Sequence, residues 1–189
     1  MSSIKENLER IQKELASIVL KNGPVQIEGV AKFQPLEKLT EAVRSGVSII
    51  GVNYVQEGEE FRKNLAEKVR WHFIGHIQSR KAKNLVDYDC VESLDRLEVA
   101  EDLNKRVQNK RLDVLIEVNI GNEAQKSGIA ASELESFLKG VAALSNLNVR
   151  GLMGMPPPLD LEERRPFFRE LFRLWSKYQA AYGLDTLSM

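Results

Sequence analysis

A lysine, two histidines and a lone cysteine are the side chains whose types and spacing could carry chemistry in this 189-residue chain. Lys32 closes the apolar run VQIEGVA and is followed by FQP, so one amine stands where a strand ends and a helix begins. A neutral amine held at such a point is a nucleophile toward an aldehyde. The plain alternative is a solvated end-of-strand charge, because lysines are rarely buried. His72 and His76 lie four apart in WHFIGH, but no third ligand is identifiable, so no metal is expected. His76 is then either a hydrogen-bonded histidine at a loop or a group lining a pocket. Cys90, the single cysteine, allows no intrachain disulfide and fits a reducing, cytoplasmic setting.

The elements that must position these groups follow a rhythm. Lys and Arg together number 27, as do Asp and Glu, so the net charge is zero and neither nucleic acid nor an acidic membrane is an expected partner. No apolar run reaches the length of a membrane span, and the N-terminal MSSIKENLERIQKEL has no signal-peptide core. The length fits one domain, 1–189. Ser3 and Glu6 form a capping box ahead of Ile4, Leu8, Ile11, Leu15 and Ile18, which recur at helical spacing until KNGP at 21–24 stops the helix. Strands are then expected at 25–31, 47–52, 71–75, 88–93, 112–120, 147–155 and from 184 to the end. Between them lie helices: one from Pro35 to Gly46, one with Phe61, Leu65 and Val69 on a face, and a short basic one in SRKAKNL. Further helices carry Leu94, Leu97, Leu103 and Val107, then Leu134, Phe137, Leu138 and Val141, and the last spans 160–183.

Strict β–α alternation argues for a parallel sheet with right-handed crossovers. A doubly wound sheet would carry a glycine-rich phosphate loop after its first strand, and VAKFQP has none. The fold expected is α/β, a (β/α)8 TIM barrel whose last β/α unit is missing from this chain. In such a barrel the active site lies at the C-terminal strand ends. Standing there are Lys32, Asn53 and Tyr54, His76 and Gln78, Asn119 with GNEAQKSG, MGMPPP, and Ser188 with Met189. Plain readings accompany them: SRKAKN as a solvated face, Met153 and Met155 as core. Phe167, Phe168, Leu171, Phe172 and Trp175 read as a helix packing on the barrel.

WHFIGHIQSRKAKN, GVAKFQP, GVNYVQE, EVNIGNEAQKSGI, RGLMGMPP and a terminal LSM stand in an order that resembles one family. It is that of the pyridoxal 5′-phosphate (PLP) homeostasis proteins, single-domain relatives of the alanine racemase N-terminal barrel. The resemblance covers nearly the whole chain from about residue 25. It implies a cytoplasmic, monomeric, fold type III barrel that binds PLP as a Schiff base on Lys32 and buffers or delivers the cofactor, without established turnover. Asn53 and His76 match positions lining the family's pocket, and Met155 and Ser188 fall near the ring and phosphate. No residue is implied to be catalytic. PLP-dependent apo-enzymes are the implied partners. The amine must be neutral to attack the aldehyde, and a low-dielectric barrel mouth favours that form of a lysine.

Departures stand beside the likeness. Phe33 and Gln34 replace the usual Thr-Lys after the lysine, and Val52 replaces a glutamate. Glu28 shares the face of Lys32 by strand alternation, so it is expected to point into the barrel, four residues below the amine. The segments that hold the PLP phosphate in the family extend past LSM, and the sequence reads as an incomplete record of a longer chain. Two alternatives stand beside this reading: a PLP-dependent racemase or decarboxylase of fold type III, and a diverged, cofactor-free barrel acting as a binding module.

Overall fold

A computed structural model describes residues 3–18, 25–123 and 126–189. The chain divides into two compact units, Met1–His72 and Phe73–Met189.

In the first unit, helix α1 (Ile4–Ala16) begins with the expected capping box. Ser3 Oγ accepts the Glu6 amide, and Glu6 accepts the Ser3 amide in return. The helix ends at Ala16, so Ile18 lies beyond it, and the stop at 21–24 falls outside the described residues. Strand β1 (Glu28–Val30) is only three residues long, shorter than the expected 25–31. Helix α2 (Leu36–Arg44) follows with Pro35 as its N-cap, and strand β2 (Ile49–Val52) is buried throughout. The strands pair in parallel, Glu28 opposite Ile49 and Val30 opposite Gly51. The Ala31 amide extends the ladder by donating to the Gly51 carbonyl at 2.9 Å. Helix α3 (Val55–Asn64) is shorter than its apolar spacing suggests. Leu65 is extended and serves as the cap, so Val69 does not belong to that helix; it precedes strand β3 (Arg70–Phe73). Leu8, Leu39, Ile49, Ile50, Val52 and Phe61 are buried.

In the second unit a 3-10 turn (Ser79–Asn84) precedes strand β4 (Cys90–Leu94) and helix α4 (Leu97–Arg106). Leu94 is therefore a strand residue and not part of the helical stripe. Strand β5 (Leu112–Glu117), helix α5 (Leu134–Ala142), strand β6 (Leu147–Met153), helix α6 (Leu161–Tyr182) and strand β7 (Thr186–Ser188) complete the alternation. Strands β4 to β7 lie side by side in chain order, all parallel. That order leaves each strand's C-terminal end to a loop that begins the next crossover. Leu171 and Trp175 of α6 are buried as a packing helix requires, while Phe172 is exposed and its ring stacks on Trp175 at 5.8 Å. Asp160 and Glu163 form a second capping box, and Gly183 takes φ +66° in the left-handed cap that ends the helix.

Candidate cofactor-binding site

In the first unit, Lys32 sits at the C-terminal end of β1, in a tight turn. The Gln34 amide donates to the Ala31 carbonyl at 2.9 Å, closing a four-residue β-turn with Lys32 and Phe33 at its centre. Phe33 has φ +59°. A left-handed third residue with an ordinary second one is the type II pattern, which glycine adopts without cost and phenylalanine does not. The Phe33 amide donates to Glu57 Oε1 at 3.0 Å. The Phe33 ring, 74% exposed, lies 5.9 Å from the Tyr54 ring. The Lys32 ammonium is 5.3 Å from the Phe33 ring centroid and has no carboxylate partner among the described residues. Lys32 is exposed rather than held in a low-dielectric mouth. Asn53 follows β2 directly, and its Oδ1 is buried without a hydrogen-bond partner among the described residues. Glu28 turns one carboxylate oxygen toward His72 Nδ1 of β3, 3.9 Å away, and the other is shut off from solvent.

In the second unit, the loops after successive strands are tied together. His76 is exposed, with Nδ1 2.9 Å from Ser127 Oγ. Ser93 donates to the Gly75 carbonyl at 2.6 Å, and Arg96 donates to the Ile77 carbonyl. Asp95, whose side chain is 10% exposed, pairs with Arg96 at 3.3 Å and accepts the Gly128 amide. Lys126 meets Glu123 at 2.6 Å and reaches the Pro156 carbonyl, joining the loop after β5 to the loop after β6. Met155 is exposed rather than core, and Ser188 closes β7, where its carbonyl accepts the Gly154 amide at 3.2 Å. Ser188 is thus bonded to the residue before Met155, and His76 is joined to the loop after β5.

Three groups were not singled out from sequence. Glu117, at the end of β5, has its carboxyl pushed up to about 7, first by burial and then by the charge of Asp95. Lys126 is a second amine at a strand-end loop, visible in NEAQKSG but read there only as part of a motif. Glu57 stands 24 residues from the amide it holds, a relation no local pattern reveals.

The comparisons agree on family. The profile for "Alanine racemase, N-terminal domain" matches residues 1–182. A pyridoxal phosphate homeostasis protein of Vibrio alginolyticus is 37% identical over 203 residues, which take in all of this chain and 87% of the relative. One of Aquifex aeolicus is 36% identical, over 96% of this chain and 83% of its own. Among solved structures, PipY of Synechococcus elongatus with PLP bound superposes with a TM-score of 0.85 at 25% identity, covering 99% of this chain and 88% of that one. An alanine racemase of Clostridium difficile, at 14% identity and TM-score 0.74, shares the fold over half its own length. The chain belongs to the alanine racemase N-terminal domain family, with the α/β barrel fold of that family.

Proposed function

We propose that this member of the family binds pyridoxal 5′-phosphate as a Schiff base on Lys32 and serves in intracellular PLP homeostasis, holding or passing on the cofactor rather than turning over a substrate. The carrying observation is the placement of Lys32: a strand-end amine in a hydrogen-bonded turn, without a carboxylate partner among the described residues. An amine so placed is open to an aldehyde arriving from solvent. Its Nζ adds to the aldehyde carbon, and one water leaves as the C=N bond forms. When bound, the cofactor supplies an electrophilic aldehyde and an electron-withdrawing ring.

The residues available fit such a guest. Asn53 offers a buried amide oxygen that lacks a partner among the described residues, as a site awaiting a donor would. His76, Met155 and Ser188 are proposed as further contacts on the strength of their strand-end positions and their match to the family's motifs. The relatives' names and the PLP-bound PipY structure support the cofactor assignment. We read the protein as a monomer of the cytoplasm that meets PLP-dependent apo-enzymes. Among the described residues no helix is long and apolar enough to cross a membrane.

Titration of the 189-residue chain with PLP, followed by the visible absorbance of the imine, tests this reading. Saturable one-to-one uptake is expected, with no α-proton exchange on added amino acids. Exchange at enzymatic rates would move the protein to the racemases.

A further inference from the structure

Glu57 has an unusual allegiance. It occupies the third position of α3, where a glutamate ordinarily folds back to its own helix cap. Glu6 of α1 does so, accepting the Ser3 amide at 2.8 Å, and Glu163 of α6 does so, accepting the Asp160 amide at 3.1 Å. Glu57 instead crosses to the loop after β1 and accepts the Phe33 amide at 3.0 Å, leaving α3 with no side-chain cap. Its second oxygen is buried and has no hydrogen-bond partner among the described residues. A carboxylate held this way costs desolvation, so the single bond it makes must matter to the local structure.

The bond falls on the peptide that decides the turn. The Phe33 N–H belongs to the Lys32–Phe33 peptide, the central peptide of the turn closed by Ala31 and Gln34. Type I and type II turns differ by a flip of that peptide, and ψ of the second residue, here Lys32, changes by about 150° between them. Phenylalanine at the third position prefers type I, because φ +59° crowds its Cβ against the following carbonyl oxygen. The hydrogen bond that Glu57 Oε1 accepts from the Phe33 amide holds the disfavoured form. Contact with the Tyr54 ring adds to it, the two rings tilted by 39° with centroids 5.9 Å apart.

We propose that Glu57 is a positioning residue for Lys32: by clamping the Phe33 amide it selects the type II turn and so fixes the direction from which the amine meets its aldehyde. The proposal rests on the reading of Lys32 as the PLP amine. Glu57 touches neither the amine nor the cofactor in this scheme; it acts through the backbone.

The test uses the full chain and three substitutions. Glu57→Asp keeps an acid in the first turn of α3 but withdraws the carboxylate by one methylene, so the helix is still served. Glu57→Gln keeps an acceptor at the same reach. Phe33→Gly makes the left-handed conformation free of strain, with or without the clamp. Glu57→Asp should lower the apparent affinity for PLP and for pyridoxal roughly tenfold alike, as the competent turn becomes a minor population. Equal loss with both aldehydes separates amine positioning from any phosphate contact. The Phe33 amide should lose its hydrogen-exchange protection in parallel, read by NMR without any cofactor. Glu57→Gln should stay near wild type. The double variant Glu57→Asp, Phe33→Gly should recover the affinity of Phe33→Gly alone, a rescue that a purely structural role in α3 would not produce. Wild-type affinity in Glu57→Asp, or no rescue by glycine, overturns the proposal. Lys32→Ala serves as the control: if it still forms the imine, the Lys32 reading and this proposal fall together. If it abolishes the imine while Glu57→Asp changes nothing, this proposal falls alone.

Discussion

His76 Nδ1 stands 2.9 Å from Ser127 Oγ, joining the loop after β3 to the loop after β5. Lys126, next along, carries the chain of contacts on to the Pro156 carbonyl after β6. The second unit thus fastens three strand-end loops to one another through neighbouring residues of one segment. A single such bond contributes about 1 kcal/mol, so Ser127→Ala should free the His76 ring without unfolding the protein. Nitrogen-15 shifts of the imidazole should move toward those of a solvated ring. PLP affinity should fall by less than about tenfold. Unchanged ring shifts would show that the contact does not orient His76.

Glu117 makes stability depend on pH in a direction opposite to most carboxylates. Its folded-state value is near 7, raised by burial and then by Asp95, against 4.5 for the unconstrained group. Between those values the folded protein holds a proton that the unfolded chain has released. Stability therefore falls as pH rises from about 4.5 to 7, and the loss is complete above that range. Glu117→Gln should remove this slope and raise stability at pH 8 by on the order of 2 kcal/mol, with little change at pH 4. Denaturant midpoints across the range would show it; parallel pH profiles for the two proteins would contradict it.

Gly151 sets how closely β6 and β7 approach. It lies opposite Thr186, and a Cβ there would overlap the Thr186 carbonyl oxygen. Arg150 beside it bonds Asp185 through Nε and Nη2 and Asp113 through Nη1, linking β5, β6 and the entry to β7. Gly151→Ala should detach β7, seen as lost hydrogen-exchange protection from Thr186 to Ser188 with the rest of the unit protected. Arg150→Met should cost only about 1 kcal/mol, since the guanidinium is partly exposed. Equal protection of β7 in Gly151→Ala would contradict the close packing.

What the sequence made legible was local. The Ser3–Glu6 box, the glycine that ends α6 and the alternation of strands and helices all depend on neighbours within a turn or two. Lys32 was legible as well, because a lone lysine before FQP marks a strand end. The element ends were less so: Leu65 and Val69 keep helical spacing with Phe61, yet the chain becomes extended at Leu65 and enters β3. Relations across elements were hidden altogether. Glu57 looks like an ordinary third-position glutamate, and nothing in NYVQE says that it leaves its helix for Phe33. Glu117 looks like a strand-end charge, and only burial beside Asp95 makes it hold its proton. Phe33 was noted as a departure by type; its left-handed backbone became visible only in three dimensions.

Whether Lys32 is the amine that takes PLP is decided by the site of attachment. The chain is mixed with PLP, reduced with borohydride to make the link permanent, digested and mapped by mass spectrometry. One modified peptide is expected at stoichiometric PLP, carrying the adduct on Lys32 while Lys38 and Lys126 stay unmodified, with no saturable uptake by Lys32→Ala. An adduct on another lysine, or undiminished uptake by Lys32→Ala, would contradict it.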